Sequence, residues 1–155
     1  CGQHTFQIFQ DKGGGGGLIY HGTLVERNSD LNRLNQSGHG VIFMVNEGDG
    51  KGRKSSNITR IRAVFADFDT PGGLEKIAGL SLKPHIVVES SPGKYHAYWL
   101  VRDMPLELFT PTQKIIAETL GSDPAVCDLP RVMRLPGFFH MKSEPFMTRI
   151  VEINV

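Results

Sequence analysis

One stretch constrains this chain more than any other: Arg62-Ala63-Val64-Phe65-Ala66-Asp67-Phe68-Asp69-Thr70, closed by Pro71-Gly72-Gly73. Apolar and β-branched residues bounded by turn formers read as a buried strand. Residues i and i+2 of a strand share a face, so Asp67 and Asp69 leave the sheet side by side. Carboxylates that close repel each other, and burying them without a partner is unfavourable. A hard divalent cation, Mg2+ or Mn2+, relieves both problems. The plainer alternative is a solvated strand end carrying two surface acids, so the argument for a metal must come from elsewhere in the chain.

The bounds are those of a globular protein. A length of 155 residues suits one domain over 1–155 with a real core, and 39% hydrophobic with 21% charged residues fits that class. A net charge of +1 excludes a globally basic nucleic-acid binder, so any such contact belongs to a local patch. Cys1 and Cys127 stand at opposite ends of the chain, which suits neither a disulfide framework nor a structural zinc site. With no visible signal peptide and no apolar run long enough to span a membrane, a reducing, cytoplasmic location is expected. The chain starts without Met and stops on an apolar run at 149–155, as expected of a fragment cut from a longer protein.

In chain order, residues 5–9 predict a strand, and 18–24 a short one. The uninterrupted glycines 13–17 predict a flexible loop, native or introduced as a linker, and lack the Lys-Ser/Thr ending of a phosphate-cradling loop. Ser29 is expected to cap a helix through Leu31 and Leu34 that stops near Gly38. The apolar run 40–45 predicts a central strand. Between Lys51 and Arg62 stand Lys51, Arg53, Lys54, Arg60 and Arg62 with no acidic residue, either a solvated loop or a contact for phosphates.

Residues 74–80 predict a short helix, and 85–90 with 95–101 a hairpin turned at Ser91-Pro92-Gly93-Lys94. His96 shares a face with Tyr98 and Leu100. Ser91, Lys94 and the backbone N–H groups of the turn offer anion contacts beside it. Thr110-Pro111-Thr112-Gln113 has the form of a capping box for a helix to Leu120 that buries Ile115, Ile116 and Leu120 and ends at Gly121. Residues 105–109 are then either a preceding turn or the first part of one helix kinked at Pro111. The proline-punctuated segment 123–137 carries Asp128 with Arg131 and Arg134, whose guanidinium groups reach one side if the stretch between them is a helical turn.

Three of these motifs, Asp67-Phe68-Asp69, Ser90 through Trp99, and Asp128 through Gly137, together resemble archaeo-eukaryotic primase-polymerases, most closely the RepB-like primase domains of plasmids, prophages and other mobile elements. The resemblance implies an α+β fold: an archaeo-eukaryotic primase-like catalytic domain with an RRM-like antiparallel sheet flanked by helices and an N-terminal α/β module. It implies that Asp67, Asp69 and Asp128 hold the catalytic metals, Mg2+ or Mn2+. It implies that His96, with Ser91, Lys94, Arg131 and Arg134, holds an incoming nucleoside triphosphate. The implied partners are a single-stranded DNA template or primer–template and, in the full-length protein, a helicase or helical primase domain. The glycine run is where the similarity is poorest.

The residue chemistry supports the same reaction. Nucleotidyl transfer needs two cations to activate a 3′-hydroxyl and stabilise pyrophosphate, and carboxylates to hold them. It also needs donors for the phosphates, for which Arg suits bidentate contact. Lys51, Arg53 and Lys54 are the candidates for template or primer phosphates. Two other classes share parts of the pattern: a metal-dependent phosphohydrolase or glycosyltransferase built on the Asp-x-Asp strand, and a non-catalytic module that stacks single-stranded bases on aromatics such as Tyr98.

Overall fold

The computed structural model describes residues 2–14 and 17–154. The expectation of a loop at 13–17 falls partly on residues 15 and 16, outside the described residues, as do Cys1 and Val155. The fold is α+β and rests on two four-stranded antiparallel sheets.

The first sheet contains β1 (His4–Gln10), β2 (Leu18–Gly22), β3 (His39–Met44) and β9 (Val132–Arg134), in the order β2-β1-β3-β9. Helix α1 (Leu24–Gln36) packs on it through Leu31 and Leu34, which meet Phe6, Ile8, Val41 and Phe138 in one core cluster. The helix cap lies at Thr23, six residues before the expected Ser29. Thr23 caps it, its hydroxyl accepting from Glu26 N at 3.2 Å while Glu26 Oε2 accepts from Thr23 N at 2.8 Å. This reciprocal Thr-x-x-Glu pair satisfies two amides that Ser29, within the helix, could not reach.

The second sheet contains β6 (Ala63–Phe68), β7 (Ile86–Ser91), β8 (Lys94–Leu100) and β12 (Arg149–Ile153), in the order β12-β7-β8-β6. Its larger core gathers Phe65, Phe68, Val87, Ala97 and Phe109. Two short strands, β4 (Glu47–Gly48) and β5 (Ile58–Arg60), pair with each other before β6. Two more, β10 (Phe139–His140) and β11 (Phe146–Met147), pair before β12. Helix α2 (Gly73–Ala78) follows β6 and buries Ile77.

Helix α3 (Leu106–Leu120) settles the alternative at Pro111 in favour of one helix, with Pro111 inside it and Pro105 at its N-cap. Its buried face is Phe109, Gln113 and Ala117; Ile115 is 64% exposed, contrary to expectation. Phe109, Gln113 and Ala117 recur every four residues as the inward stripe, and Ile115, two places from both Gln113 and Ala117, lies off it. Gln113 is therefore a core residue and caps nothing. Its side chain accepts from Phe65 N at 2.9 Å and donates to Phe65 O and Val126 O, both at 3.0 Å. β6 is an edge strand, so those outward Phe65 groups have no strand to bond, and one amide side chain supplies both partners.

Candidate active site

Asp67 and Asp69 stand at the end of β6, where the edge continues to govern what lies beside them. Gly121 ends α3 in the left-handed conformation, at φ 61°. The chain then turns along the outside of β6, and Asp123 N donates to Asp67 O at 2.9 Å. This bond delivers a third carboxylate. Asp67, Asp69 and Asp123 each offer an oxygen within 4.8 Å of the others.

The expected third acid, Asp128, is not in this group. It lies in a turn closed by Arg131 N donating to Asp128 O at 3.1 Å, and its Oδ1 accepts from Arg131 Nε at 2.6 Å. Sequence reasoning missed Asp123 because its proximity depends on an unpaired sheet edge; the signal within reach was its place just past a glycine helix stop.

Asp67 carries the strongest electrostatic signature. Its side chain is only 16% exposed, and Oδ1 has no hydrogen-bond partner. Burial, then the charges of Asp69 and Asp123, push its pKa up to about 7. The residue opposite it in β8 is His96, 5% exposed, whose Nε2 lies 3.7 Å from Asp67 Oδ1. Burial lowers the His96 pKa to about 4, so the ring is neutral near pH 7. Tyr98 Oη is 3.3 Å from His96 Nδ1. With the hydroxyl donating to Nδ1, the ring proton sits on Nε2 and faces the carboxylates.

The β7–β8 turn holds the other expected groups. Pro92 and Gly93 form it, Gly93 at φ 73° as such a turn requires, and Gly93 N donates to Glu89 Oε1 at 3.2 Å. Ser91 is buried at the end of β7, paired in register with Lys94. Lys94 Nζ reaches Asp69 Oδ1 at 3.3 Å across an exposed rim.

Arg131 and Arg134 do not lie on one helical turn, because Val132–Arg134 is a strand. Arg131 pairs with Asp128, and its charge still lowers the pKa of Asp67. Arg134 pairs with Asp11, and its charge reaches His96. The basic run is divided as well. Arg60 and Arg62 pair with Glu47, and Arg53 donates to Gln7 with Asp128 and Arg131 nearby. Lys51 and Lys54 are exposed on a loop pinned by Asp49, which accepts from Lys51 N at 2.8 Å, and by Asn57, which accepts from Lys54 N at 3.0 Å.

Among the described residues no helix is long and apolar enough to cross a membrane. The fold is shared with solved structures of low identity. The archaeo-eukaryotic primase domain of a cyanophage S-2L primase-polymerase is 19% identical, at a TM-score of 0.79 over 98% of this chain and 81% of that one. Primase RepB′ is 22% identical, at 0.76 over 97% of this chain and 51% of that one. The catalytic domain of RepB′ in complex with initiator DNA is 20% identical, at 0.72 over 97% of this chain and 77% of that one. No curated protein matches the chain. Residues 53–149, which hold every acid of the cluster and the whole β7–β8 hairpin, match the RepB DNA-primase N-terminal domain, and the chain belongs to that family.

Proposed function

We propose that this chain catalyses template-directed nucleotidyl transfer, as a primase-polymerase serving replication of a mobile element, and that it uses two divalent cations, Mg2+ or Mn2+, and nucleoside triphosphates. The observation that carries the reading is the cluster of Asp67, Asp69 and Asp123, with Asp67 Oδ1 shielded and unpartnered beside them. Three acids drawn this close, one of them raised to a pKa of about 7 by burial and then by the other two, fit cation ligation better than any use among themselves. When bound, the ions would lower the pKa of a 3′-hydroxyl and neutralise charge on the phosphates.

The protein's own groups do the positioning. Neutral His96, its Nε2–H turned toward the acids, donates to a phosphate oxygen without adding a charge beside the metals. Lys94, exposed at the turn, supplies the charge, and the Ser91 hydroxyl can add a donor. Arg131 and Arg134 approach from the segment after α3, each oriented by a carboxylate. Exposed Lys51 and Lys54, with Arg53, suit template or primer phosphates; the RepB′ catalytic domain has been solved with initiator DNA.

Extension of a labelled primer–template with Mg2+ or Mn2+ and nucleoside triphosphates, beside an unprimed template, tests the reading. Metal-dependent, template-directed addition is expected. Failure to add nucleotides with either ion, or full activity in Asp67→Asn, overturns it.

A further inference from the structure

The hairpin that presents Lys94 is closed by a turn ill suited to a hairpin. Two-residue loops favour turns with positive φ at the first central residue, because those follow the right-handed twist of the strands. Pro92 occupies that position, and its ring fixes φ at about −65°. With Gly93 at φ 73°, the pair matches a type II turn, whose twist splays the strands it joins. The ladder carries the mismatch: Ser91 stands opposite Lys94 and Glu89 opposite Tyr95, so Ser90 is an extra residue on one side. Such a tip needs a hold from outside its own ladder.

Glu89, near the end of β7, supplies one. It is only 8% exposed, and both of its oxygens are engaged. Oε1 accepts from Gly93 N at 3.2 Å, at the tip itself. Oε2 accepts from Arg149 Nε at 3.0 Å and Nη2 at 2.7 Å, on the neighbouring edge strand β12. The Phe146 ring centroid lies 5.7 Å from the Arg149 guanidinium carbon, so Arg149 is itself backed. Replacing a buried ion pair by packed apolar groups is often neutral or stabilising, so this pair is better explained by orientation than by stability. What it orients lies one residue past Gly93: Lys94 Nζ stands 3.3 Å from Asp69 Oδ1, on the rim of the acidic cluster.

We propose that Glu89 is a positioning residue for Lys94: by holding Gly93 N it keeps the Pro92–Gly93 tip, and with it the Lys94 ammonium, in place beside the acids, and Arg149 holds Glu89 in turn. Glu89 touches neither nucleotide nor metal. The inference rests on the nucleotidyl-transfer reading, in which Lys94 meets nucleotide phosphates, and its test separates the two.

Glu89→Leu, Lys94→Ala and the two combined are compared with the unaltered protein by steady-state extension, calorimetry of inorganic tripolyphosphate, hydrogen exchange at the Gly93 amide and thermal melting. Glu89→Leu removes the acceptor and keeps the site filled, while Arg149, 62% exposed, turns to water. The Gly93 amide should exchange faster. The KM for nucleotide should rise roughly tenfold with kcat within about twofold, and tripolyphosphate binding should weaken in parallel, as loss of one charge-assisted contact implies. In the Lys94→Ala background the same change should add less than about twofold, because the group it positions is gone. Glu89→Gln keeps an acceptor for Gly93 N and should stay within about threefold of the unaltered KM. Pro92→Asn gives the tip an Asn-Gly pair able to take the I′ form, and should restore most of what Glu89→Leu loses. Equal losses in both backgrounds, or unchanged KM and tripolyphosphate affinity in Glu89→Leu, overturns the role. So does a loss in Glu89→Gln as large as that of Lys94→Ala, which keeps the test decisive if Glu89→Leu does not fold. Tripolyphosphate binding that weakens non-additively, in a protein that adds no nucleotide, upholds the positioning role and overturns the activity.

Discussion

Asp123 reaches Asp67 through the backbone: its N–H donates to the Asp67 carbonyl at 2.9 Å, and that bond brings its carboxylate into the acidic cluster. The third acid is thus set by how the chain covers a sheet edge. Asp123→Asn keeps this amide and removes only the charge. Nucleotide addition should fall more than about 100-fold, the loss expected when an electrostatic partner of the reacting centre goes. Asp128→Asn should cost less than about tenfold, since Asp128 acts through Arg131. Extension kinetics on the pair check the order; equal losses would return Asp128 to the metal site.

The protonation of Asp67 gives a prediction with a definite sign. Its pKa is about 7 in the folded chain against an ordinary 3.8, so the folded state keeps a proton that the unfolded chain has lost. That contribution to stability is full below the ordinary value and disappears as pH rises through about 7. Melting in chelator should show Asp67→Asn level with the unaltered protein near pH 4 and more stable near pH 8, by on the order of 2–4 kcal/mol. His96 acts in the opposite sense, its stabilisation growing as pH rises from about 4 to the ordinary 6.5, but it is present in both proteins and cancels in the difference. A gap that stays constant with pH would refute the buried-acid account. Mn2+ should then stabilise the unaltered protein and not the variant.

Gln113 should matter to both fold and activity. Gln113→Leu keeps most of the volume but leaves Phe65 N, Phe65 O and Val126 O without their partner. Buried groups left unsatisfied cost about 1–3 kcal/mol each before relaxation, so urea unfolding should register a loss of roughly 2–4 kcal/mol. The same change loosens the segment 123–126, so activity should fall further than stability accounts for. Activity that merely tracks the folded fraction would argue that Gln113 is only a packing residue.

For the basic loop, replacing Lys51, Arg53 and Lys54 together with Ala should weaken binding to DNA of any sequence and flatten its salt dependence by about one to two charges. The value lies below three because Arg53 is already engaged with Gln7, whereas the two lysines are exposed. An unaltered salt slope would make this stretch a solvated loop.

The sequence was most legible where information was local. An apolar run bounded by turn formers placed β6, and the turn residues placed the β7–β8 hairpin that presents Lys94 and His96. It was least legible where a partner came from far away. Nothing near Gln113 signals that its amide serves a strand 48 residues earlier. Asp11 lies 123 residues from Arg134 and precedes a glycine run, where no pattern points to a buried carboxylate. Ser29 and Thr23 illustrate a nearer miss, since both are cap formers and only the Glu three places after Thr23 distinguishes them.

The side-chain amide lying along β6 has one more consequence, which concerns self-association. An edge strand with free N–H and C=O groups is a template for another chain, and the strand bearing the aspartates would be the worst place for one to add. Gln113 occupies both groups of Phe65, and Asp123 N occupies the carbonyl of Asp67. The opposite edge, β12, carries exposed Ile150, Val151 and Ile153 but breaks its register between Ile150 and Glu152. One flank of the sheet is thus covered at its middle and the other kinked, so crowding at high concentration should spare the aspartate strand and act, if anywhere, at β12.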